Sequence, residues 1–140
     1  MLFPKKVKHR KWQTGRKSEA RLARPDTRGT TVAFGSLGLK ATTSSRVTSN
    51  QIEAARKVLT RVTGKGGKMW IRIFPDRPVT AKPAEVGMGK GKGDPKKFVF
   101  EVRPGRVLFE LDGVEEVKAR DALRRAGAKL PLKVSIVTRA

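Results

Sequence analysis

The stretch from residue 75 to residue 95 limits the possible folds of this chain, because it contains four prolines and four glycines. Proline cannot donate a backbone hydrogen bond, and glycine loses much conformational freedom when it is ordered. A helix and most strands are therefore excluded there. Long loops are uncommon inside compact domains and are usually either functional or disordered. We predict a functional loop at residues 75–95.

Two segments, one on either side of this loop, have the periodicity of helices. Residues 49–63 form the first, and glycines at 64, 66 and 67 end it. Residues 114–126 form the second, with Gly127 as its predicted C-cap. Two alternative capping boxes can begin the first helix: Thr48 with Gln51, or Asn50 with Glu53.

Short apolar segments predict the strands, at residues 31–41, 68–74, 97–103, 106–112 and 132–138. Pro104-Gly105 between two of them predicts a tight hairpin. Apolar residues on both faces of segment 68–74 predict a central strand. Hairpins and uneven alternation favour an α+β fold, with a mixed, mainly antiparallel sheet and two helices packed on one face.

The charge of the chain indicates a polyanionic partner. Lys and Arg number 33 and Asp and Glu number 12, which gives a net charge of +21. So much like charge repels itself in a compact protein, and nucleic acid is the first candidate to balance it. Residues 1–28 hold ten basic and two acidic residues. We therefore predict a basic RNA-binding extension at 1–28 and one α+β domain at 29–140.

The string GMGKGKGD at residues 87–94 has the chemistry of an anion binder without the spacing of a nucleotide fingerprint. No Ser or Thr follows Lys90 or Lys92, as a Walker loop requires. A dinucleotide-binding loop would need glycine where Lys92 or Asp94 stands. Exposed glycine backbone with lysines on alternate residues can bind phosphates, and a flexible, solvated basic loop explains the string equally well on local grounds.

Enzymatic and membrane-bound alternatives find little support. The chain has no cysteine and one histidine, His9, so thiolate metal sites and a Ser-His-Asp triad are unsupported. A nuclease or phosphotransferase needs convergent carboxylates, but Asp76, Glu85 and Asp94 each have a basic residue nearby. No apolar run approaches the roughly 20 residues that span a bilayer, and the core needs the apolar side of the first helix. We predict no enzyme activity, cofactor, metal, membrane partner or small-molecule substrate.

Seven strings occur in the same order as in one family: MLFPKKVKHRK, FGSLGLKA, NQIEAARKVLTR, KMWIRIFPDRPVTAKPAEV, MGKGKGD, RPGRVLFELDGV and AGAKLPLKVSIVTR. In these strings the chain closely resembles the bacterial large-subunit ribosomal protein family numbered sixteen (L-sixteen), part of the universal L-sixteen and L-ten-e family. The resemblance runs from Met1 to Arg139 except near residues 17–30, where the stretch is longer than the family's usual glycine-rich spacer and differs from it. WIRIFPD followed by KP and MGKGKG is the most specific part.

The resemblance implies a structural constituent of the large ribosomal subunit, in a bacterial-type ribosome of the cytoplasm, with an organellar ribosome as the second choice. The implied partners are large-subunit rRNA, neighbouring ribosomal proteins, A-site tRNA and, as a further candidate, P-site tRNA. The protein would shape the A-site region near the peptidyl transferase centre. Its loop would reach toward the tRNA there.

Basic residues of the extension and of the first helix are the expected rRNA contacts: Lys5, Lys6, Lys8, Arg10, Lys11, Arg16, Arg56 and Arg61. The expected tRNA- and rRNA-facing residues of the loop are Arg77, Lys82, Gly89, Lys90, Gly91 and Lys92. The chain departs from the family at Gly87, where the family usually carries an arginine that some bacteria hydroxylate. That modification cannot occur here, and one cation of the loop is missing.

Overall fold

A computed structural model describes residues 2–5, 24–81 and 94–139. These residues contain two helices and two antiparallel sheets, which confirms the predicted α+β class. The elements are β1 (Leu37–Ala41), β2 (Ser45–Thr48), α1 (Ser49–Thr63), β3 (Lys68–Ile71), β4 (Arg77–Ala81), β5 (Asp94–Val102), β6 (Val107–Asp112), α2 (Glu116–Gly127) and β7 (Val134–Thr138).

Helix α1 begins with the first of the two predicted capping boxes. The backbone N–H of Gln51 donates to the Thr48 hydroxyl at 3.3 Å, and the Gln51 side chain accepts from the Thr48 N–H at 2.9 Å. Gly64 follows the helix with a φ of 56°, so the predicted bounds of 49–63 are confirmed. Ile52, Ala55 and Leu59 form the buried face of the helix.

Loss of this cap is expected to destabilise the protein modestly. Thr48→Ala leaves the Gln51 N–H without its acceptor, which should lower the free energy of unfolding by about 1 kcal/mol. Asn50→Ala is the matched control, because Asn50 belongs to the alternative box and should change stability by less than about 0.5 kcal/mol. Urea unfolding of both variants measures the difference, and equal effects would contradict the assignment of the cap.

The strands form a four-stranded sheet in the order β3-β6-β1-β7 and a three-stranded sheet in the order β2-β5-β4. Every described strand pair is antiparallel. Both helices contact the four-stranded sheet, α1 along β3 and α2 along β1 and β7. The fully buried core between this sheet and the helices includes Leu39, Leu59, Phe109 and Leu123.

The predicted hairpin at Pro104-Gly105 is wrong. Strand β5 pairs with β2 and β4, whereas β6 pairs with β1 and β3, so the turn carries the chain from one sheet to the other. Gly105 has a φ of 97° and donates its N–H to Ala41 O at 2.7 Å. Apolar alternation specifies which face of a strand is buried, but it does not specify the partner strand.

The prediction of a central strand at 68–74 is also wrong. Strand β3 ends at Ile71 and lies at the edge of its sheet. The face of β3 that carries Trp70 is covered by the chain segment before β1. In that segment Phe34 stacks on the Trp70 ring, with centroids 6.0 Å apart.

Strands also form at both ends of the predicted loop at 75–95. Strand β4 pairs with the first half of β5, so a two-stranded ladder leads into and out of residues 82–93, which lie outside the described residues. Pro78 is tolerated because β4 is an edge strand, where a missing N–H costs little.

Gly127 has a different role from the predicted one. It is the last residue of α2, and Ala128 is the C-cap. A Cβ on Gly127 would stand 2.6 Å from Cγ2 of Val134. Glycine is therefore needed for the close approach of α2 to β7.

Candidate RNA-binding surface

Most acidic side chains of the described residues are paired with arginines from their own or an adjacent element. Asp121 contacts Arg124 at 2.6 Å and Arg125 at 3.0 Å along α2. Glu101 on β5 contacts Arg77 on β4 at 2.8 Å. These pairs neutralise the few carboxylates locally, so the surplus positive charge is left on other side chains.

The remaining exposed lysines and arginines make no ion pair with another described residue. We call this set the cationic surface: Lys5, Arg24, Arg28, Lys57, Arg61, Lys65, Lys68, Lys97, Arg103, Lys129, Lys133 and Arg139. Cationic side chains without a nearby carboxylate can neutralise phosphates and release counterions.

One part of the cationic surface lies where α1 and α2 end. An open cleft of about 370 Å³ separates the two helix ends. Its rim carries Arg61, Arg125 and Lys129, and its apolar lining comes from Val58 and Val62. Cations near helix C-termini are also stabilised by the helix dipoles. The cleft therefore offers charge for phosphates next to apolar surface for a sugar or a base.

The described ends of the predicted extension are attached to the domain. At one end, the Phe3 ring meets Phe98 of β5 edge-on, with centroids 4.9 Å apart. At the other, the Asp26 N–H donates to Pro104 O at 2.8 Å, and the Val107 N–H donates to Gly29 O at 2.7 Å. Residues 6–23 lie outside the described residues.

A buried carboxylate holds the segment that follows the extension. Glu110 of β6 is fully buried, and its Oε1 accepts backbone N–H groups from Ala33 at 3.1 Å, Phe34 at 2.8 Å and Gly35 at 2.8 Å. Its other oxygen pairs with Arg72. Burial by itself raises the pKa of Glu110, but these hydrogen bonds outweigh burial and hold the pKa below its ordinary value.

The structure describes only some of the site residues expected from the sequence. Lys5 and Arg61 are exposed, and Arg61 lies on the rim of the cleft. Arg56 is half-buried and pairs with Glu53 along α1. Arg77 is buried, with a side chain only 7% exposed. The others lie outside the described residues: Lys6, Lys8, Arg10, Lys11, Arg16, Lys82, Gly89, Lys90, Gly91 and Lys92.

Nothing in the sequence pattern predicts that Lys129 or Arg125 lies beside Arg61. Arg61 lies more than 60 positions before Arg125 and Lys129 in the sequence. Only the packing of α1 against α2 brings it close to them. Arg124 and Arg125 were recognisable as cations at a helix C-terminus, but their spatial neighbours were not.

Metal and membrane sites are not supported within the described ranges. No group of three or more His, Cys, Asp or Glu side chains there is arranged to hold a metal ion. No helix in the same ranges is long and apolar enough to cross a bilayer.

Comparison with known proteins identifies the family. A family model described as ribosomal protein L16p/L10e matches residues 4–137. Two relatives from strains of Leptospira biflexa serovar Patoc are both named large ribosomal subunit protein uL16. Each is 56% identical over 139 residues, covering 99% of this chain and 98% of the relative. The chain therefore belongs to the ribosomal protein L16p/L10e family, a family of ribosomal components and not of enzymes.

Proposed function

We propose that this protein is a structural constituent of the large ribosomal subunit, binds large-subunit rRNA and helps to shape the A-site region near the peptidyl transferase centre. The observation that carries the proposal is the family match over residues 4–137. The names of the two relatives supply the large subunit as the place of assembly. The ribosome of a bacterial cytoplasm is the corresponding location.

The proposed mechanism is positional. The cationic surface neutralises rRNA phosphates, while the two sheets and two helices hold those charges in a fixed relation to one another. Arg61 and Lys129 would hold rRNA at the helix ends, and Lys5 would do so at the N-terminus. The basic residues of the extension would add further phosphate contacts.

The loop is the proposed contact with A-site tRNA, and with P-site tRNA as a further candidate. The ladder of β4 and β5 supports residues 82–93 on both sides. We leave Arg77 out of the proposed contacts, because its guanidinium is buried against Glu101. Its ion pair instead joins β4 to β5 and strengthens the base of the loop. Lys82, Lys90 and Lys92 remain the proposed contacts, with the glycines at 89 and 91 between them.

Co-sedimentation tests the structural role, and a loop variant tests the tRNA contact. The wild-type protein should travel with large subunits through a sucrose gradient. Lys90→Ala combined with Lys92→Ala should still co-sediment, since most of the cationic charge is unchanged, but should slow accommodation of A-site tRNA in reconstituted ribosomes.

Lys118→Ala is the control for the loop variant, because Lys118 is exposed on α2 and its ammonium lies 4.0 Å from Glu115. It should change neither measurement. Normal tRNA accommodation in the loop variant would contradict the tRNA contact. Failure of the wild-type protein to co-sediment would contradict the structural role as well.

A further inference from the structure

The outer face of the four-stranded sheet carries an aromatic cluster, which is separate from the cationic side chains proposed to contact phosphates. Met69 and Ile71 pack toward the helices, so Trp70 points to the opposite face of β3. Trp70 is the cross-strand neighbour of Glu110, which is in turn the neighbour of Gly38. This row of residues crosses the outer face of the sheet.

The chain segment before β1 lies across this row and presents Phe34. A Cβ on Gly38 would stand 3.0 Å from Cγ2 of Val32, so glycine at 38 lets the segment approach the sheet. The Phe34 ring stacks on Trp70 with an interplanar angle of 20° and is still 54% exposed. Cζ of Arg72 lies 5.3 Å from the centroid of the same ring.

The position of Phe34 is fixed before any partner binds. Its backbone N–H and those of both neighbours donate to Glu110, as described above. The Ser36 N–H donates to Leu111 O at 3.0 Å, and the Arg72 guanidinium donates to Thr31 O at 3.2 Å. An exposed aromatic ring held this firmly has little conformational entropy left to lose on binding.

We infer that Phe34, backed by Trp70 and Arg72, is a stacking platform for an unpaired base of RNA. Unpaired bases of RNA stack on aromatic rings and on guanidinium planes. The inference rests on the proposed function, which supplies RNA as the partner.

The charges around the platform favour RNA over a protein side chain. Lys68 is exposed on the same face of β3, two residues before Trp70. Its cross-strand neighbour is Asp112 of β6, but the two side chains do not form an ion pair. Arg139 is exposed, and its N–H donates to Ser36 O at 3.0 Å, which places it beside the segment that carries Phe34. Both belong to the cationic surface and can contact the phosphates that flank a stacked base.

Four forms of the full-length protein test the platform: wild type, Phe34→Ala, Phe34→Leu and Phe34→Tyr. The probe is the large-subunit core particle depleted of this protein, and the measurement is the dissociation constant at one fixed salt concentration. Phe34→Ala and Phe34→Leu should weaken binding by about 5- to 100-fold, whereas Phe34→Tyr should stay within about twofold of wild type.

The leucine variant separates stacking from simple covering of Trp70, because leucine covers the indole but has no π-face. Thermal unfolding of the free variants shows whether folding is intact, and Phe74→Ala is the matched control because Phe74 is also an exposed phenylalanine. Chemical probing of the rebuilt particles should reveal an unpaired rRNA base that becomes more reactive with Phe34→Ala and Phe34→Leu only.

Two results would overturn the platform. One is equal binding by the leucine and tyrosine variants; the other is a photo-crosslinker at position 34 that reacts with a neighbouring protein and not with rRNA. If the wild-type protein binds the core particle and all four forms behave alike, only the platform fails. If the wild-type protein does not bind, the proposed function fails with it.

Discussion

Raising the salt concentration from 50 to 200 mM is expected to weaken binding of this protein to large-subunit rRNA by about 10³- to 10⁵-fold. The reason is counterion release, which has this magnitude for about six to ten phosphate contacts. The net charge of +21 and the set of exposed cations make that number of contacts reasonable. The measurement is the dissociation constant at several salt concentrations, plotted as log K against log[salt]. We expect a slope of about −5 to −9.

Variants of the cleft between the helix ends test whether individual cations there contact phosphates. Arg61→Gln and Lys129→Gln should each make the slope shallower by about one, since each removes one phosphate contact. Arg120→Gln is the matched control, because Arg120 is exposed but pairs with Glu116 at 3.0 Å. It should leave the slope unchanged. A wild-type slope shallower than about −2 would contradict extensive phosphate binding.

Replacing Glu110 by alanine is expected to lower the free energy of unfolding by about 3–5 kcal/mol. The substitution leaves Arg72 without its carboxylate and leaves three backbone N–H groups, at residues 33–35, without an acceptor. Glu116→Ala removes an exposed carboxylate of α2 and serves as control, with an expected loss of less than about 1 kcal/mol. Equilibrium unfolding in urea measures both variants.

A double variant separates the ion pair from the backbone contacts. If the ion pair with Arg72 were the whole role of Glu110, then Glu110→Leu combined with Arg72→Leu would recover most of the lost stability, because apolar replacements of buried ion pairs are often neutral. We expect little recovery, since the three N–H groups still have no acceptor. Full recovery would contradict this role of Glu110.

The pH dependence of stability follows from the lowered pKa of Glu110 in the folded protein. The carboxylate contributes its stability above the ordinary glutamate pKa of about 4.3, and this contribution is lost as the pH falls through the lower folded value. The difference in unfolding free energy between wild type and Glu110→Gln should therefore be constant near neutral pH and shrink below about pH 4. A difference that grows on acidification would have the wrong sign.

Glu110 also shows why the outer face of the sheet could not be predicted. In the sequence Glu110 is an acidic residue flanked by apolar residues in the strand VLFELD, and nothing local indicates its partners. Its Oε1 accepts hydrogen bonds from backbone N–H groups about 75 residues earlier in the chain. The exposed position of Phe34 depends on the same long-range contacts. From the sequence alone, its apolar side chain indicated only a place in a predicted strand.

The sequence by itself determined the α+β class, the bounds of α1, the surplus of positive charge and the family. The class and the helix bounds depend on local periodicity and capping residues, and the charge depends on composition. The family follows from the resemblance in seven ordered strings along the chain. Only the tertiary structure decided that β5 and β6 belong to different sheets, that β3 is an edge strand, and that Arg61 lies beside Lys129. Strand partners and surface clusters depend on packing between distant segments, and the alternation of apolar residues along one strand carries no information about which other strand it meets.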